Sequence, residues 1–346
     1  MPNINNIIHQ LYPSITVNRT PPKNIQPGDE IFFKHEYEKT FPPVYLYELN
    51  NVNVSPEGIV FRNFEVFLPS LLNISRKAYY NWKYLLKVYF KKRIKLKKTE
   101  TYLLAFDEWS NGYFHWICDV LPKLVASKEL LKNVTILVPE VINDTFYFET
   151  LNTFDVQNII KIPQNSYLSV PKLIFMENIA PSGNYNSEIM ISLQNHLLNY
   201  FKLSNDINIK SFERIYISRK NAIAKYIINE NEVIKITEKY GFKTIYFEEY
   251  SLSQKIAIME NCKAVIGMHG ANLTNILFMK PDGSLLELRK KGDGNNNAYY
   301  LLAVCLDLNY YYQQCEFENR HYEHPNRFDL FVDIRKLEEN INKMNK

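Results

Sequence analysis

The sequence predicts an α/β protein of two domains, and three observations carry the prediction. At 346 residues the chain is long enough for two cores. From Arg214 to Leu288 short apolar runs alternate with helical patterns, the signature of a parallel sheet. Upstream, VYLYELNNVNVSPEGIVFRNFEVF (44–67) has another texture: short β-rich runs split by Asn-Asn and Ser-Pro-Glu-Gly, which predicts an antiparallel meander.

The elements follow in order. Residues 1–30 hold Pro2, Pro13, Pro21, Pro22, Pro27 and Gly28 and read as an irregular arm. After the meander, residues 76–98 read as a basic helix. Thr101–Phe106, Thr135–Val138 and Lys172–Met176 are apolar runs of strand length, separated by helical or loop stretches. The character changes after Pro181-Ser182-Gly183, and the domain boundary is placed between Pro181 and Ser204. SEIMISLQNHLLNYF (187–201) is an amphipathic helix. Then come strand RIYIS (214–218), helix NENEVIKITEKY (229–240) closed by Gly241, and strand KTIYFEE (243–249). Helix Ser251–Cys262, strand AVIGM (264–268), short helix Leu273–Met279 and strand SLLEL (284–288) complete the alternation. Ser251-x-x-Gln254 has the form of a capping box. The tail FDLFVDIRKLEENINKMNK predicts a closing helix. The resulting divisions are 1–190, 191–325 and a closing helix at 326–346.

A hydrophobic fraction of 46% with 23% charged residues belongs to an ordinary globular protein, and a net charge of +4 is too small to imply nucleic acid. The four cysteines, Cys118, Cys262, Cys305 and Cys315, form no CxxC pair, which argues against zinc and against a disulfide framework. MPNINNIIHQLYPSITVNR has neither a basic n-region nor a continuous apolar stretch. No run approaches the roughly 20 apolar residues of a membrane span. The expectation is a reducing, cytoplasmic location.

Three stretches carry candidate chemistry. In IYISRKNAIAKYIINENEV (215–233), Arg219 and Lys220 directly follow a strand, where two cations and helix N–H groups can hold a diphosphate. The alternative is a solvated charge pair. In VIGMHGANLTN (265–275) a strand ends in His269-Gly270-Ala271 and runs into Asn272, Thr274 and Asn275. Glycine lets a ligand approach the backbone, and the polar side chains offer donors to a leaving phosphate. The alternative is a structural histidine. Neither GxGxxG nor GxxxxGK[ST] occurs, which argues against dinucleotide cofactors and P-loop chemistry. In NGYFHWICDVLP (111–122), His115 and Asp119 share a helix face, enough for one proton abstraction; a pair that only orients the helix fits equally well. With no Asp-x-Asp triplet, the expectation is a mechanism without metal or cofactor, in which protein cations stabilise a departing diphosphate.

WKYLLKVYFKKRIKLKK (82–98) holds eight cations and no acid. Lys83, Lys87, Lys91 and Lys95 form an i,i+4 row, with Trp82, Leu85, Leu86 and Tyr89 on another face. Such a helix lies on an anionic membrane surface or packs its apolar stripe on its own domain.

The ordered set H-W-I-C-D-V-L-P, I-S-R-x-x-A-x-x-K-x-I-x-N-E, G-F-x-x-I-x-x-E, H-G-A-N-L-T-N-x-x-F and L-x-E resembles glycosyltransferase family 61. That family includes plant xylosyl- and arabinosyltransferases, animal O-GlcNAc- and O-mannose-extending enzymes, and bacterial capsule or lipopolysaccharide enzymes. The resemblance covers residues 101–290 and is densest from 214 to 288. It implies a GT-B-like architecture, two Rossmann-like domains facing across a cleft, here with an N-terminal β-rich extension, and inversion at the anomeric carbon. By position, Arg219 and the His269-Gly270-Ala271 turn would hold the donor diphosphate, with Lys220 and Lys225 beside them. Asn272, Thr274 and Asn275 would line the same pocket, and Glu287 would sit near the nucleoside. Asp119 would be the general base, with His115 its rival. Lys225 stands where arginine is common, Asn272 where a small residue is usual, and Gln254-Lys255 where Glu-Gln is frequent.

The expected function is an inverting, metal-independent transfer of a sugar from a nucleotide-sugar donor, UDP-linked by the resemblance. The acceptor would be a hydroxyl of a glycan or lipid-linked glycan in surface polysaccharide synthesis of the bacterial type. The place would be the cytoplasm, or the inner face of the cell membrane reached through 82–98. Two other classes remain open: a non-catalytic nucleotide-sugar-binding module and a membrane- or polyanion-binding scaffold. Nucleic acid is not an expected partner.

Overall fold

The computed structural model describes residues 7–142, 145–203, 210–222, 224–319 and 328–345 of a mixed α/β protein. The chain divides into two compact units, one of Met1–Ile15 with Thr40–Ser182 and one of Thr16–Lys39 with Gly183–Lys346. The limit expected at 325/326 and the far edge of the boundary zone, Ser204, lie outside the described residues.

The first unit is built on a nine-stranded sheet, counted among the described residues. Asn158–Ile162, Thr135–Pro139, Tyr102–Leu104 and Ser166–Met176 lie side by side and parallel. Thr135–Pro139 and Tyr102–Leu104 are buried at every position, as strands covered on both faces must be. The meander is not a separate extension. Val44–Val54 pairs antiparallel with Ser166–Met176 and carries Val60–Arg62 and Glu65–Val66 outward, so it continues the same sheet. Nor is the N-terminal arm irregular throughout. Ile7–Tyr12 pairs with Val44–Val54, and Ile15–Asn18 pairs with Glu38–Phe41.

The basic helix is much shorter than expected. Only Trp82–Tyr89 is α-helical, capped by Asn81, whose side chain accepts from the Lys83 and Tyr84 N–H groups. Lys92–Lys95 is instead a strand, parallel to Ser166–Ser169. Lys91 therefore lies beyond the helix and Lys95 in the strand, so the lysine row ends at Lys87. The reason is local. Ile94 and Leu96 alternate with Arg93, Lys95 and Lys97 at strand period and are half-buried. Within the helix, Leu85 and Val88 pack on Phe61 and Tyr167.

The second unit carries a six-stranded sheet among the described residues, in the order Lys243–Ile245, Arg214–Ile217, Ala264–Met268, Ser284–Lys290, Asn309–Glu318, Asp329–Phe331. The first five are parallel and the last is antiparallel. Helix Glu230–Lys239 ends at Gly241, whose φ of +79° suits glycine. Helix Leu252–Glu260 opens with the full capping box, Ser251 and Gln254 each accepting from the other's N–H. Tyr216, Val233, Ile266, Leu286, Leu330, Leu337 and Ile341 form part of the core. The closing helix is shorter than expected. It spans Ile334–Met344 behind an Asp333 cap, because Asp329–Phe331 is a strand. Residues 16–39, read as part of the N-terminal domain, cluster with this unit. There Asn24 donates to the Tyr312 carbonyl at 2.7 Å and accepts from its N–H at 3.1 Å.

Candidate active site

In the first unit, helix Tyr113–His115 widens into a π-helical turn, Trp116–Val120, and resumes as α-helix Leu121–Ala126. Such turns are rare and often functional. Trp116, Ile117, Val120 and Leu121 are buried, and the Trp116 indole N–H donates to Thr150 Oγ1 at 2.8 Å. That anchorage fixes the rotation of the segment and brings His115 and Asp119 together, with Nδ1 2.7 Å from Oδ2. Ser182 Oγ donates to the same Oδ2 at 2.8 Å and lies 3.4 Å from His115 Nδ1. The Asp119 side chain is 2% exposed and that of His115 is 24% exposed. An Nδ1–H donating to this carboxylate leaves Nε2 with its lone pair, so the imidazole is the member able to meet a substrate proton. Sequence reasoning missed Ser182. It read Pro181-Ser182-Gly183 only as a boundary, and nothing in the pattern signals a contact 63 residues away.

In the second unit the order of the six strands, numbered along the chain, is 2-1-3-4-5-6. In such sheets ligands bind beyond the strand C-termini where the winding reverses, here between Arg214–Ile217 and Ala264–Met268. Arg219 and the His269-Gly270 turn follow those two strands. Glu230 Oε1 organises the first end, accepting from Tyr216 Oη at 2.8 Å, Ser218 Oγ at 2.9 Å and the Arg219 N–H at 3.2 Å. The guanidinium donates through Nε to the Lys225 carbonyl at 2.7 Å and through Nη2 to the Ala224 carbonyl at 2.8 Å. Its Nη1 then lies across Gly270, where a Cβ would stand 2.5 Å from it. With the guanidinium pinned by two carbonyls, the glycine is required for this close approach.

Lys225 holds a left-handed φ of +66° and places its ammonium 5.1 Å from the centre of the Phe328 ring. Burial lowers its pKa, and the charge of Arg219 lowers it further. Burial likewise lowers that of Arg219, against Glu248, Tyr299 and Glu230. Two partly desolvated cations at one strand end favour an anion. Lys220 is exposed.

His269 is buried; its N–H donates to the Leu288 carbonyl at 2.9 Å and its Nδ1 pairs with Glu287. Tyr310 Oη donates to the other Glu287 oxygen at 2.5 Å. Burial pushes the Glu287 carboxyl up, but His269, Arg289 and Tyr310 outweigh it and hold it below the usual carboxylate range. Glu287 is fully buried, and its two oxygens are engaged by His269 and Tyr310. Ala271 and Asn272 reach solvent, Asn272 donating to Glu248 at 2.9 Å. Thr274 and Asn275 are sealed inside, the Asn275 amide donating to the Asn272 carbonyl at 2.9 Å. Among the described residues no three His, Cys, Asp or Glu side chains gather as a metal-binding group. No helix among them is long and apolar enough to cross a membrane.

Comparison with known proteins agrees with the motifs. A family profile described as Glycosyltransferase 61 matches residues 113–286. The EGF domain-specific O-linked N-acetylglucosamine transferase of Drosophila melanogaster is 31% identical over 83 residues, 23% of this chain and 16% of that protein. Those of Bos taurus and Gallus gallus are 21% and 23% identical over 235 and 236 residues, 61% of this chain and 44% and 43% of theirs. The chain thus spans less than half the length of these curated relatives. They are animal enzymes and lend no support to a bacterial capsule or lipopolysaccharide type in particular. A solved flavo di-iron protein from Thermotoga maritima aligns over 88% of this chain and 96% of its own at 12% identity, but its TM-score of 0.28 carries no argument. The profile match covers half of the chain and begins two residues before His115; the chain belongs to glycosyltransferase family 61.

Proposed function

We propose that the chain is an inverting, metal-independent glycosyltransferase that moves a sugar from a nucleotide-sugar donor, UDP-linked, to a hydroxyl of a glycan or glycolipid in surface polysaccharide synthesis. The observation that carries the reading is the His115–Asp119 pair, 2.7 Å apart inside the region the family profile matches. His115 Nε2 takes the proton of the acceptor hydroxyl while the more buried Asp119, supported by Ser182, holds the ring and stabilises its charged form. This exchanges the roles expected from the sequence, and the exposure of the two side chains supports the exchange. The acceptor oxygen forms its bond to the anomeric carbon as the bond to phosphate breaks. Arg219 and Lys225 receive the departing diphosphate, which supports a reaction without metal. A GT-B-like division of labour, acceptor chemistry in the first unit and donor in the second, is part of the proposal. N-acetylglucosamine is the first sugar to try, because the curated relatives are named for its transfer.

Residence at the inner face of the membrane belongs to the same reading. Trp82, Leu86 and Phe90, spaced one helical turn apart, are 61%, 41% and 85% exposed beside Lys83, Lys87 and Lys91. Vesicle co-sedimentation that survives neutralisation of Lys87, Lys91, Lys92 and Arg93 would remove it.

Calorimetric titration with UDP, GDP and CMP, repeated on Arg219→Ala and His269→Ala, tests the core proposal. Micromolar binding of one nucleotide, lost in Arg219→Ala, is expected, with sugar transfer unaffected by EDTA. No nucleotide binding by the folded protein would overturn the reading. Binding without any transfer that His115→Gln abolishes would leave the non-catalytic module.

A further inference from the structure

The first unit contains a cavity of about 550 Å³, within the size range of small-molecule sites. Phe106, Phe175 and Pro181 contribute apolar walls, and Asp107, Lys123 and Glu177 contribute charge. Asp107 is 7% exposed and its carboxylate is fixed: Oδ1 accepts from the Trp109 N–H at 2.9 Å and from Ser110 Oγ at 3.0 Å. Among the described residues Oδ2 has no hydrogen-bond partner. A buried oxygen left in that state is costly unless a ligand or water supplies the donor. Glu177, held by the Tyr45 N–H at 3.0 Å and Tyr47 Oη at 3.1 Å, faces the same space. Burial lowers the Lys123 ammonium, while Asp107, Asp119 and Glu177 around it work the other way.

This lining selects a ligand. Two carboxylates against one ammonium repel a diphosphate or an acidic sugar and accept hydrogen bonds from neutral hydroxyls. Flat apolar walls suit the C–H face of a pyranose ring. The cavity also adjoins the candidate base: Pro181 lines it, and the next residue, Ser182, donates to Asp119. Lys123, four residues after Asp119, also lines it. We infer that this cavity binds the terminal neutral sugar of the acceptor, with Asp107 Oδ2 and Glu177 accepting from its hydroxyls and Lys123 donating to one of them. The word acceptor rests on the glycosyltransferase reading; sugar binding itself does not.

The two are separable by experiment. Saturation-transfer NMR on the full chain, with methyl glucoside, methyl galactoside and methyl N-acetylglucosaminide as probes, reads the cavity. UDP titration reads the second unit. At least one glycoside is expected to bind, and to bind at least tenfold more weakly in Asp107→Asn and in Ala180→Trp, which adds bulk to the lining. UDP affinity and melting temperature are expected to hold in both variants. Glycoside binding unchanged in both variants, or no binding of any of the three probes by a protein that still binds UDP, would overturn the inference and leave the glycosyltransferase reading standing. Glycoside binding sensitive to both variants in a protein that binds no nucleotide would support the cavity and sink the donor site.

Discussion

The molecule contains two histidine–carboxylate pairs, and they differ in what surrounds them. His115 meets Asp119 in the first unit with a side chain 24% exposed, whereas His269 meets Glu287 in the second with one 9% exposed. Asp119 is supported by a serine at the end of the first unit; Glu287 is clamped by Tyr310 and sits in the field of Arg289. The same two functional groups thus give a partly exposed imidazole in one place and a buried one beside a glycine turn in the other. On the proposed reading, access, more than residue type, separates proton transfer from positioning.

The comparison breaks first at His115. His115→Gln should lower kcat by about 10²–10⁴-fold with UDP affinity unchanged, as loss of a general base does. Asp119→Asn should do less. If it does more in steady-state assays, the carboxylate is the base and the pair must be read the other way. Glu287→Gln should instead cost stability, about 3 kcal/mol for breaking a buried pair, seen as a lower urea midpoint. The pH dependence follows from the same carboxylate. Because its folded pKa is depressed, its contribution is complete above the ordinary value of about 4.3 and is lost as pH falls through the lower folded value. Wild type should therefore lose midpoint along that acid limb, and Glu287→Gln should lose less.

Gly270→Ala sharpens the contrast by moving Arg219 and nothing in the first unit. UDP affinity measured by calorimetry should fall about tenfold, or about 1.4 kcal/mol, with methyl glycoside binding intact. The smallest effect belongs to Ser182→Ala. Removing one hydrogen bond worth about 1 kcal/mol should lower kcat about fivefold. A larger loss would make the serine more than a support for Asp119.

Much of the second unit was legible in the sequence because its order is local. Each strand from Arg214 to Leu288 is an apolar run bounded by a cap, a glycine or a turn, and the Ser251–Gln254 capping box reads directly. The positions of Arg219 and His269 at strand ends followed from the same alternation. Strand order did not, and it is strand order that makes their edge the point where the winding reverses. The basic run misled because lysines at i,i+4 spacing mask Ile94 and Leu96, which alternate at strand period. An exposed edge dressed with lysine is itself a common protection against pairing with other chains. Ser182, Asp107 and Lys123 carried no pattern, since their roles depend on contacts between distant segments. The same holds for Glu287, which by spacing alone could touch a ligand or serve His269.

Asn24 hydrogen-bonds Tyr312 across 288 residues of sequence. At roughly 5–20 residues per second, a ribosome needs about 15–60 s between delivering the two. The segment Thr16–Lys39 must therefore wait without its final neighbours while Thr40–Ser182 of the first unit is synthesised. The second unit closes only near the end of translation. Slowing elongation lengthens that window, and cleavage by protease within residues 16–39 of nascent chains would report it.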